Sequence, residues 1–147
     1  MKISDFLSPA DVVIDMRIAQ KELLLRDLAR RAALNLGLEA DYVSSELLKR
    51  EEFGSTGMGR GVAVPHARLP MVREPYGIMT RLKQPIDFAA IDGEPVDLFF
   101  SVLLPATAGR DQLGALALVA RKLRTPECLV QLRRARTESE LYAAITR

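Results

Sequence analysis

The sequence predicts a mixed α/β fold, a single domain over residues 1–147 with a mixed parallel and antiparallel sheet of about five strands flanked by helices. Helix-like and strand-like patterns alternate from one end of the chain to the other. Residues 96–104 are almost continuously apolar, which is typical of a central strand covered on both faces. Apolar residues make up 48% of the chain, enough for one sizeable core.

Three shorter segments have the composition of strands. Residues 12–14 form a β-branched run, and residues 62–64 are a short apolar segment that Pro65 and His66 end. Residues 77–83 alternate between two sides, which predicts a half-buried strand.

The remaining periodic segments predict helices. Residues 21–36 gather apolar side chains on one face, and Gly37 is a typical stop. Asp41 predicts the cap of a second helix that ends near Glu52. Further helices are predicted at residues 111–124, after Thr125-Pro126, and after a capping box at residues 137–140.

Residues 54–61 read Gly-Ser-Thr-Gly-Met-Gly-Arg-Gly, a composition that predicts a loop rather than a helix or strand. Such glycines indicate positive φ or the close approach of another group. The segment does not fit a Walker phosphate-binding loop, because Arg60-Gly61 stands where Lys-Ser/Thr is required. A helix also precedes the loop and a strand follows it, the reverse of the order in nucleotide-binding motifs.

Composition excludes several classes of function. The formal net charge of +2 gives no pull toward nucleic acid or an anionic membrane surface. With one cysteine, Cys128, and one histidine, the chain has neither a disulfide nor a Cys/His zinc site of its own, and Cys128 is expected to be a buried apolar residue. The N-terminus lacks a signal-peptide pattern and no segment is long and apolar enough to span a membrane. We therefore expect a cytoplasmic protein with no membrane insertion and no metal or organic cofactor.

The single histidine, His66, is the strongest candidate for chemistry. Imidazole is nucleophilic at neutral pH and can release the group that it captures. Arg50 and Arg68 flank it in sequence, and guanidinium groups bind phosphate oxygens with a planar set of donors. The hydroxyls of Ser55 and Thr56, with the glycine amides, could add further donors. These residue types together indicate a phosphoryl acceptor.

Residues 50–66, from Arg50 through the glycine-rich loop to His66, resemble the active-site signature of the enzyme IIA domains of the mannitol/fructose class. These domains belong to the bacterial phosphoenolpyruvate-dependent phosphotransferase system. Residues 85–88, 90–98 and 140–142 are similar to the nitrogen-regulatory branch of that family. The resemblance extends over nearly the whole chain.

The resemblance implies a mixed sheet flanked by helices and a phosphorylated His66. The phosphoryl donor would be an HPr-type phosphocarrier that enzyme I has charged from phosphoenolpyruvate, and Arg50 would steady the phosphoryl group. In the regulatory branch the output is phosphorylation-dependent binding to other proteins, such as kinases or transporters, in the control of nitrogen, potassium or carbon metabolism.

One position departs from the family pattern. Gln112 stands where many members carry a second active-site histidine. Near a helix N-terminus its amide could bind a phosphoryl oxygen, although it cannot titrate near neutral pH. The alternative is a solvated polar residue. Ser55 and Thr56 could likewise serve only the turn, and Arg68 could be a surface charge beside the site.

Two other functions stay open at this point. The chain could be a protein-interaction module on the same fold in which phosphorylation is slow or lost. It could also be an unrelated enzyme that uses His66 as a general base, which would need a positioned carboxylate partner and a substrate pocket. The sequence leaves open a weak homodimer, the identity of the regulated partner, and transfer of the phosphoryl group to a sugar.

Overall fold

The structure, a computed structural model, describes residues 1–107 and 110–147, and the side chains of residues 1–107 and 114–147. The strands are β1 (Val12–Met16), β2 (Gly57–Gly59), β3 (Val62–Ala63), β4 (His66–Leu69), β5 (Tyr76–Ile86) and β6 (Val96–Pro105). The helices are α1 (Lys21–Leu36), α2 (Ala40–Glu52), α3 (Arg110–Leu123), α4 (Pro126–Arg134) and α5 (Glu138–Thr146). Short 3-10 turns at Ile3–Asp5 and Pro9–Asp11 precede β1.

β6 is the central strand of the sheet. It pairs antiparallel with β5 along one edge, and parallel with β3 and then β4 along the other edge. β1 extends the sheet beyond β5 as a parallel partner, and β2 extends it beyond β3 as an antiparallel one. These pairings confirm the predicted mixed sheet.

Helices cover both faces of the sheet. One apolar cluster packs α1 and α2 against residues of β5 and β6 that include Ile78, Phe99 and Leu103. The other packs α3, α4 and α5 against the opposite face, where Phe100 and Val102 are buried. β6 therefore contributes to both clusters, which explains its continuous apolar run. No helix in the described ranges is long and apolar enough to cross a membrane.

The predicted helices are present, with two corrections to their boundaries. α3 begins at Arg110 and ends at Leu123, one residue earlier at each end than predicted. α1 ends where expected, because Gly37 adopts a left-handed φ of 69°. α2 begins at Ala40, so Asp41 lies in its first turn rather than at the cap. In the first turn, the negative charge of the Asp41 carboxylate still interacts favourably with the positive end of the helix dipole.

The described residues form six strands rather than about five, in part because the glycine-rich segment forms a strand of its own. β2 consists of Gly57, Met58 and Gly59, held by antiparallel pairing with β3. His66 also begins β4 rather than ending the preceding strand. β3 and β4 both pair with β6. Pro65 lies between them and lacks an N–H, so it interrupts the hydrogen-bond ladder to β6 and separates the two strands.

Candidate active site

The glycine-rich segment is a tight β-hairpin that leads into the site. β2 and β3 pair Gly57 with Ala63, and Arg60 and Gly61 form the turn with φ of 59° and 79°. Positive φ at both turn residues matches the twist of a two-residue hairpin. The hairpin is also pressed against a neighbouring loop, since a Cβ on Gly57 would lie 2.7 Å from the Cβ of Ala90.

His66 is held at the first position of β4. Its Cα partner on β6 is Val102, whose N–H donates to the carbonyl of Pro65 at 2.9 Å. The side chain is half-buried. Because β4 is hydrogen-bonded to the central strand β6, the backbone of His66 has a fixed position.

Two hydrogen bonds define the state of the His66 ring. Nδ1 lies 2.8 Å from the carbonyl oxygen of Val64. Because a carbonyl oxygen only accepts, Nδ1 carries the proton of the neutral ring and Nε2 carries the lone pair. The Nε of Arg50 donates to Nε2 at 3.3 Å. Nε2 is therefore the ring atom whose lone pair could act as a nucleophile, and a guanidinium group faces it.

Arg50 reaches His66 from the last turn of α2. Its Nη1 donates to the carbonyl oxygen of Gly54 at 3.0 Å, so the guanidinium is bonded on both sides. The sequence separation of Arg50 and His66 is 16 residues, and the hairpin closes it. The structure thus brings together the two residues that the sequence placed at the centre of the site.

The pKa of His66 is lowered from its ordinary value of 6.5. Burial of the ring disfavours the imidazolium most, and the positive charges of Arg50 and Arg68 lower the pKa further. The hydrogen bond to Val64 and the negative charge of Glu51 oppose this shift. At neutral pH the ring is neutral and its Nε2 lone pair is available.

His66 lines an open cleft of about 370 Å³. The cleft is lined by the hairpin and its flanks (Arg50, Ser55, Thr56, Gly57, Met58, Val64, His66), by Ile91, and by Leu116, Ala120 and Arg124. Leu116 and Ala120 lie one turn apart on α3. Met58 lies in the cleft, whereas Met71 lines a different pocket with Tyr76.

The hydroxyls of Ser55 and Thr56 serve the loop itself. Ser55 Oγ accepts from the N–H of Gly57 at 3.0 Å and donates to the carbonyl of Phe88 at 3.3 Å. Thr56 Oγ1 donates to the carboxylate of Glu51. Both residues line the cleft, but each hydroxyl proton is already engaged with a protein acceptor.

Arg68 and Gln112 are the two remaining candidate residues of the site. Arg68 is exposed two residues along β4, and it acts on His66 through its charge rather than as part of the cleft lining. Gln112 falls in the first turn of α3, as expected, but its side chain lies outside the described residues.

Sequence reasoning missed several contributors to the site, including Ile91, Arg124, Glu51 and Lys21. Ile91 and Arg124 reach the cleft from other parts of the chain, and only the fold places them there. Glu51 and Lys21 support the loop through an ion pair of 2.9 Å. A glutamate beside Arg50 gave no distinct signal, because helix ends commonly carry such charges.

Residues 5–147 match the sequence model of the EIIA 2 family of the phosphoenolpyruvate-dependent sugar phosphotransferase system. The chain is 39% identical over 145 residues to the nitrogen regulatory protein of Bradyrhizobium diazoefficiens, covering 99% of this chain and 95% of that protein.

Two solved structures have the same fold as this chain. The nitrogen regulatory protein IIA-Ntr of Neisseria meningitidis superposes with a TM-score of 0.93 at 32% identity, over 98% of this chain and 99% of that one. The Escherichia coli mannitol enzyme IIA, solved in complex with phosphorylated enzyme IIB, shares the fold with a TM-score of 0.77 at 15% identity, over 92% of this chain and 93% of that one. The chain therefore belongs to the EIIA 2 family of the phosphotransferase system, on the nitrogen-regulatory branch that residues 85–88, 90–98 and 140–142 indicated.

Proposed function

We propose that this protein is a cytoplasmic phosphoryl carrier and regulator that accepts a phosphoryl group on Nε2 of His66 from an HPr-type phosphocarrier. One observation carries the proposal. The hydrogen bond from Nδ1 to Val64 leaves the lone pair of His66, a residue that lines the cleft, on Nε2 and opposite the guanidinium of Arg50. Membership of a phosphotransferase family supplies the reaction class.

The transfer is an in-line displacement at phosphorus. The Nε2 lone pair forms the new P–N bond, while the P–N bond of the donor phosphohistidine breaks and its electron pair returns to the donor ring. The Nδ1 proton of His66 stays in place, donated to the carbonyl of Val64, and stabilises the positive charge that develops on the ring. No proton leaves His66 in this step.

Arg50 stabilises the negative charge of the transferred phosphoryl group. In the unphosphorylated protein its Nε–H occupies the Nε2 lone pair, so attack requires that this hydrogen bond be released. The same guanidinium then donates to the phosphoryl oxygens, for which its planar geometry is suited. Arg68 adds positive charge nearby, Gln112 is a further candidate contact at the start of α3, and Ser55 and Thr56 act by shaping the loop.

The donor docks on the surface around the cleft. Ile91 is 86% exposed and lines the cleft beside the half-buried Met58 and Leu116. Arg50 and Arg124 add positive charge to this apolar patch. Apolar contacts surrounded by charged groups are typical of transient protein interfaces.

The names of the relatives support a regulatory output. The similar protein of Bradyrhizobium diazoefficiens and the matched structure from Neisseria meningitidis are both named nitrogen regulatory proteins. We infer that phosphorylation of His66 changes the binding of target proteins, such as kinases or transporters, in nitrogen, potassium or carbon metabolism. Two negative charges placed in the cleft are sufficient to change its affinity for a partner.

Intact-protein mass spectrometry tests the proposal. Wild type and His66→Ala are incubated with phosphoenolpyruvate, enzyme I and an HPr-type carrier. We expect one acid-labile phosphoryl adduct on the wild type and none on the variant. If the wild type stays unlabelled while a family control is labelled in the same mixture, the carrier function is wrong. The protein would then be an interaction module, whose partners His66→Ala should bind normally.

A further inference from the structure

Glu51 follows Arg50 directly and is a buried carboxylate, 9% exposed, that takes no direct part in the transfer step. It accepts the backbone N–H of Thr56 at 3.1 Å and the hydroxyl proton of the same residue. The Nζ of Lys21 lies 2.9 Å away and completes the set of donors. A buried carboxylate with this many donors has a fixed position, here at the end of α2.

The first connection from Glu51 runs to Nε2 of His66. The bonds between Glu51 and Thr56 close the turn of residues 51–56 and so fix the carbonyl oxygen of Gly54. That oxygen accepts from Nη1 of Arg50 at 3.0 Å. Held there, Arg50 directs its Nε at the Nε2 atom, 3.3 Å away.

The second connection runs to Nδ1 of the same ring. The carbonyl of Thr56 accepts from the N–H of Val64 at 3.1 Å. The carbonyl of Val64 in turn accepts from Nδ1 of His66 at 2.8 Å. Thr56 is therefore held by Glu51 on one side and holds the acceptor of the Nδ1 proton on the other.

We propose that Glu51 is a positioning residue for phosphoryl transfer, because it holds in place the hydrogen-bond partners of both ring nitrogens of His66. This inference rests on the proposed phosphoryl transfer. Without Glu51, both the guanidinium that faces Nε2 and the carbonyl that fixes the Nδ1 proton lose their support. The imidazole then samples other tautomers and orientations, and fewer of its encounters with the donor are productive.

Lys21 ties this arrangement to the core. It extends from the first turn of α1, donates to the carbonyl of Phe88 at 3.0 Å, and lies 4.2 Å from the centre of the Phe88 ring. Ser55 donates to the same carbonyl. Lys21, through its ion pair with Glu51 and its bond to Phe88, therefore joins α1, the end of α2 and the loop that follows β5.

Single-turnover transfer to Glu51→Gln from a phosphorylated HPr-type carrier tests the inference, with the affinity for the carrier measured separately. Gln keeps the shape but replaces one acceptor oxygen with a donor group that faces other donors. We expect the transfer rate constant to fall on the order of 100-fold with the carrier affinity unchanged. Glu22→Gln is the matched control, because Glu22 forms an exposed pair with Arg26 at 2.9 Å on α1. It should transfer like wild type.

A second readout does not require transfer at all. Nitrogen-15 NMR of unphosphorylated protein reports which ring nitrogen of His66 carries the proton, and we expect Glu51→Gln to lose the strong preference for Nδ1. Failure of the wild type to accept phosphate would refute the proposed function, while this tautomer measurement would still decide the role of Glu51.

The outcomes are separable. A rate constant within twofold of wild type, or an unchanged His66 tautomer, would overturn the inference. So would a loss confined to carrier affinity, since that indicates docking. If Glu51→Gln does not fold, Thr56→Val decides by the same criteria, because it removes the hydroxyl donor and keeps the Lys21–Glu51 pair. Thr56→Ser, which keeps the hydroxyl, should restore the rate.

Discussion

At His66, two hydrogen bonds of opposite sense give the ring nitrogens different tasks. The carbonyl of Val64 keeps the proton on Nδ1, and the guanidinium of Arg50 faces the lone pair of Nε2. A histidine in free solution exchanges between tautomers, so this arrangement selects one nucleophilic atom in advance. Burial and the neighbouring arginines keep that atom unprotonated at neutral pH.

The lowered pKa of His66 predicts the pH dependence of transfer. Because the folded-state pKa lies below 6.5, the transfer rate constant should decline as pH falls through that lower folded-state value rather than through 6.5. Between those two values the unfolded chain binds a proton that the native protein does not, so stability is lost as pH falls there. Arg50→Gln should raise the pKa toward 6.5, because the charge of Arg50 lowers it.

Proton NMR titration of His66 in wild type and in Arg50→Gln checks these expectations. Urea unfolding of wild type and His66→Gln across the same pH range checks the loss of stability. A wild-type pKa at or above 6.5 would contradict the account.

Among the elements, the β2–β3 hairpin carries the site, and its position depends on a close contact between backbones. Gly57 leaves room for Ala90, whose Cβ would lie 2.7 Å and Cα 3.0 Å from any added Cβ. Ala90 precedes Ile91 at the cleft. Contact at Gly57 thus fixes both the hairpin and the exposed apolar side chain beside His66.

Gly57→Ala should therefore separate the hairpin from the loop that follows β5. We expect a loss of about 1–3 kcal/mol in the free energy of unfolding, as for other overpacked sites, together with slower phosphoryl transfer. Gly114→Ala is the contrast. It lies in α3 with open space around the added Cβ among the described atoms, and should stabilise by about 0.5–1 kcal/mol. Urea denaturation of both variants measures the difference, and equal effects would contradict the close-contact interpretation.

The elements also show what sequence patterns can predict. α1 and β6 are long and strongly periodic or continuously apolar, so their existence and type followed from residue spacing. β2 did not, because two of its three residues are glycine and its conformation is set by pairing with β3. Side-chain periodicity gives no signal in such a strand.

Some residues of the candidate site could be predicted from the sequence, and others could not. His66 and Arg50 could be found because their residue types, the glycine-rich segment between them and the family signature lie in one continuous stretch of sequence. Ile91, Arg124 and Lys21 come from distant segments, and only the pairing of strands and the packing of helices bring them to the loop. Their roles depend on tertiary contacts that no local pattern encodes.

In the whole molecule, β6 joins the two apolar clusters. Its side chains enter both, so each face of the sheet is covered by helices that share one central strand. Leu28 of α1 lies in one cluster at 1% exposure, and Leu132 of α4 lies in the other at 0%. The two layers should therefore fold as one cooperative unit.

Leu28→Ala and Leu132→Ala test this cooperativity. Each should lower the free energy of unfolding by about 2–5 kcal/mol, because each leaves a cavity in a closely packed cluster. In both variants, circular dichroism and tyrosine fluorescence should report one coincident transition. Separate transitions for the two probes would show that the clusters unfold independently.

The most direct test of the account is to locate the phosphoryl group on the protein. Phosphorylated protein, prepared with phosphoenolpyruvate, enzyme I and an HPr-type carrier, is examined by nitrogen-15 and phosphorus-31 NMR. We predict a single phosphoryl group on Nε2 of His66, with the proton retained on Nδ1 and bonded to Val64. Phosphorylation at Nδ1, phosphorylation of another residue, or no phosphorylation while a family control is labelled would contradict it.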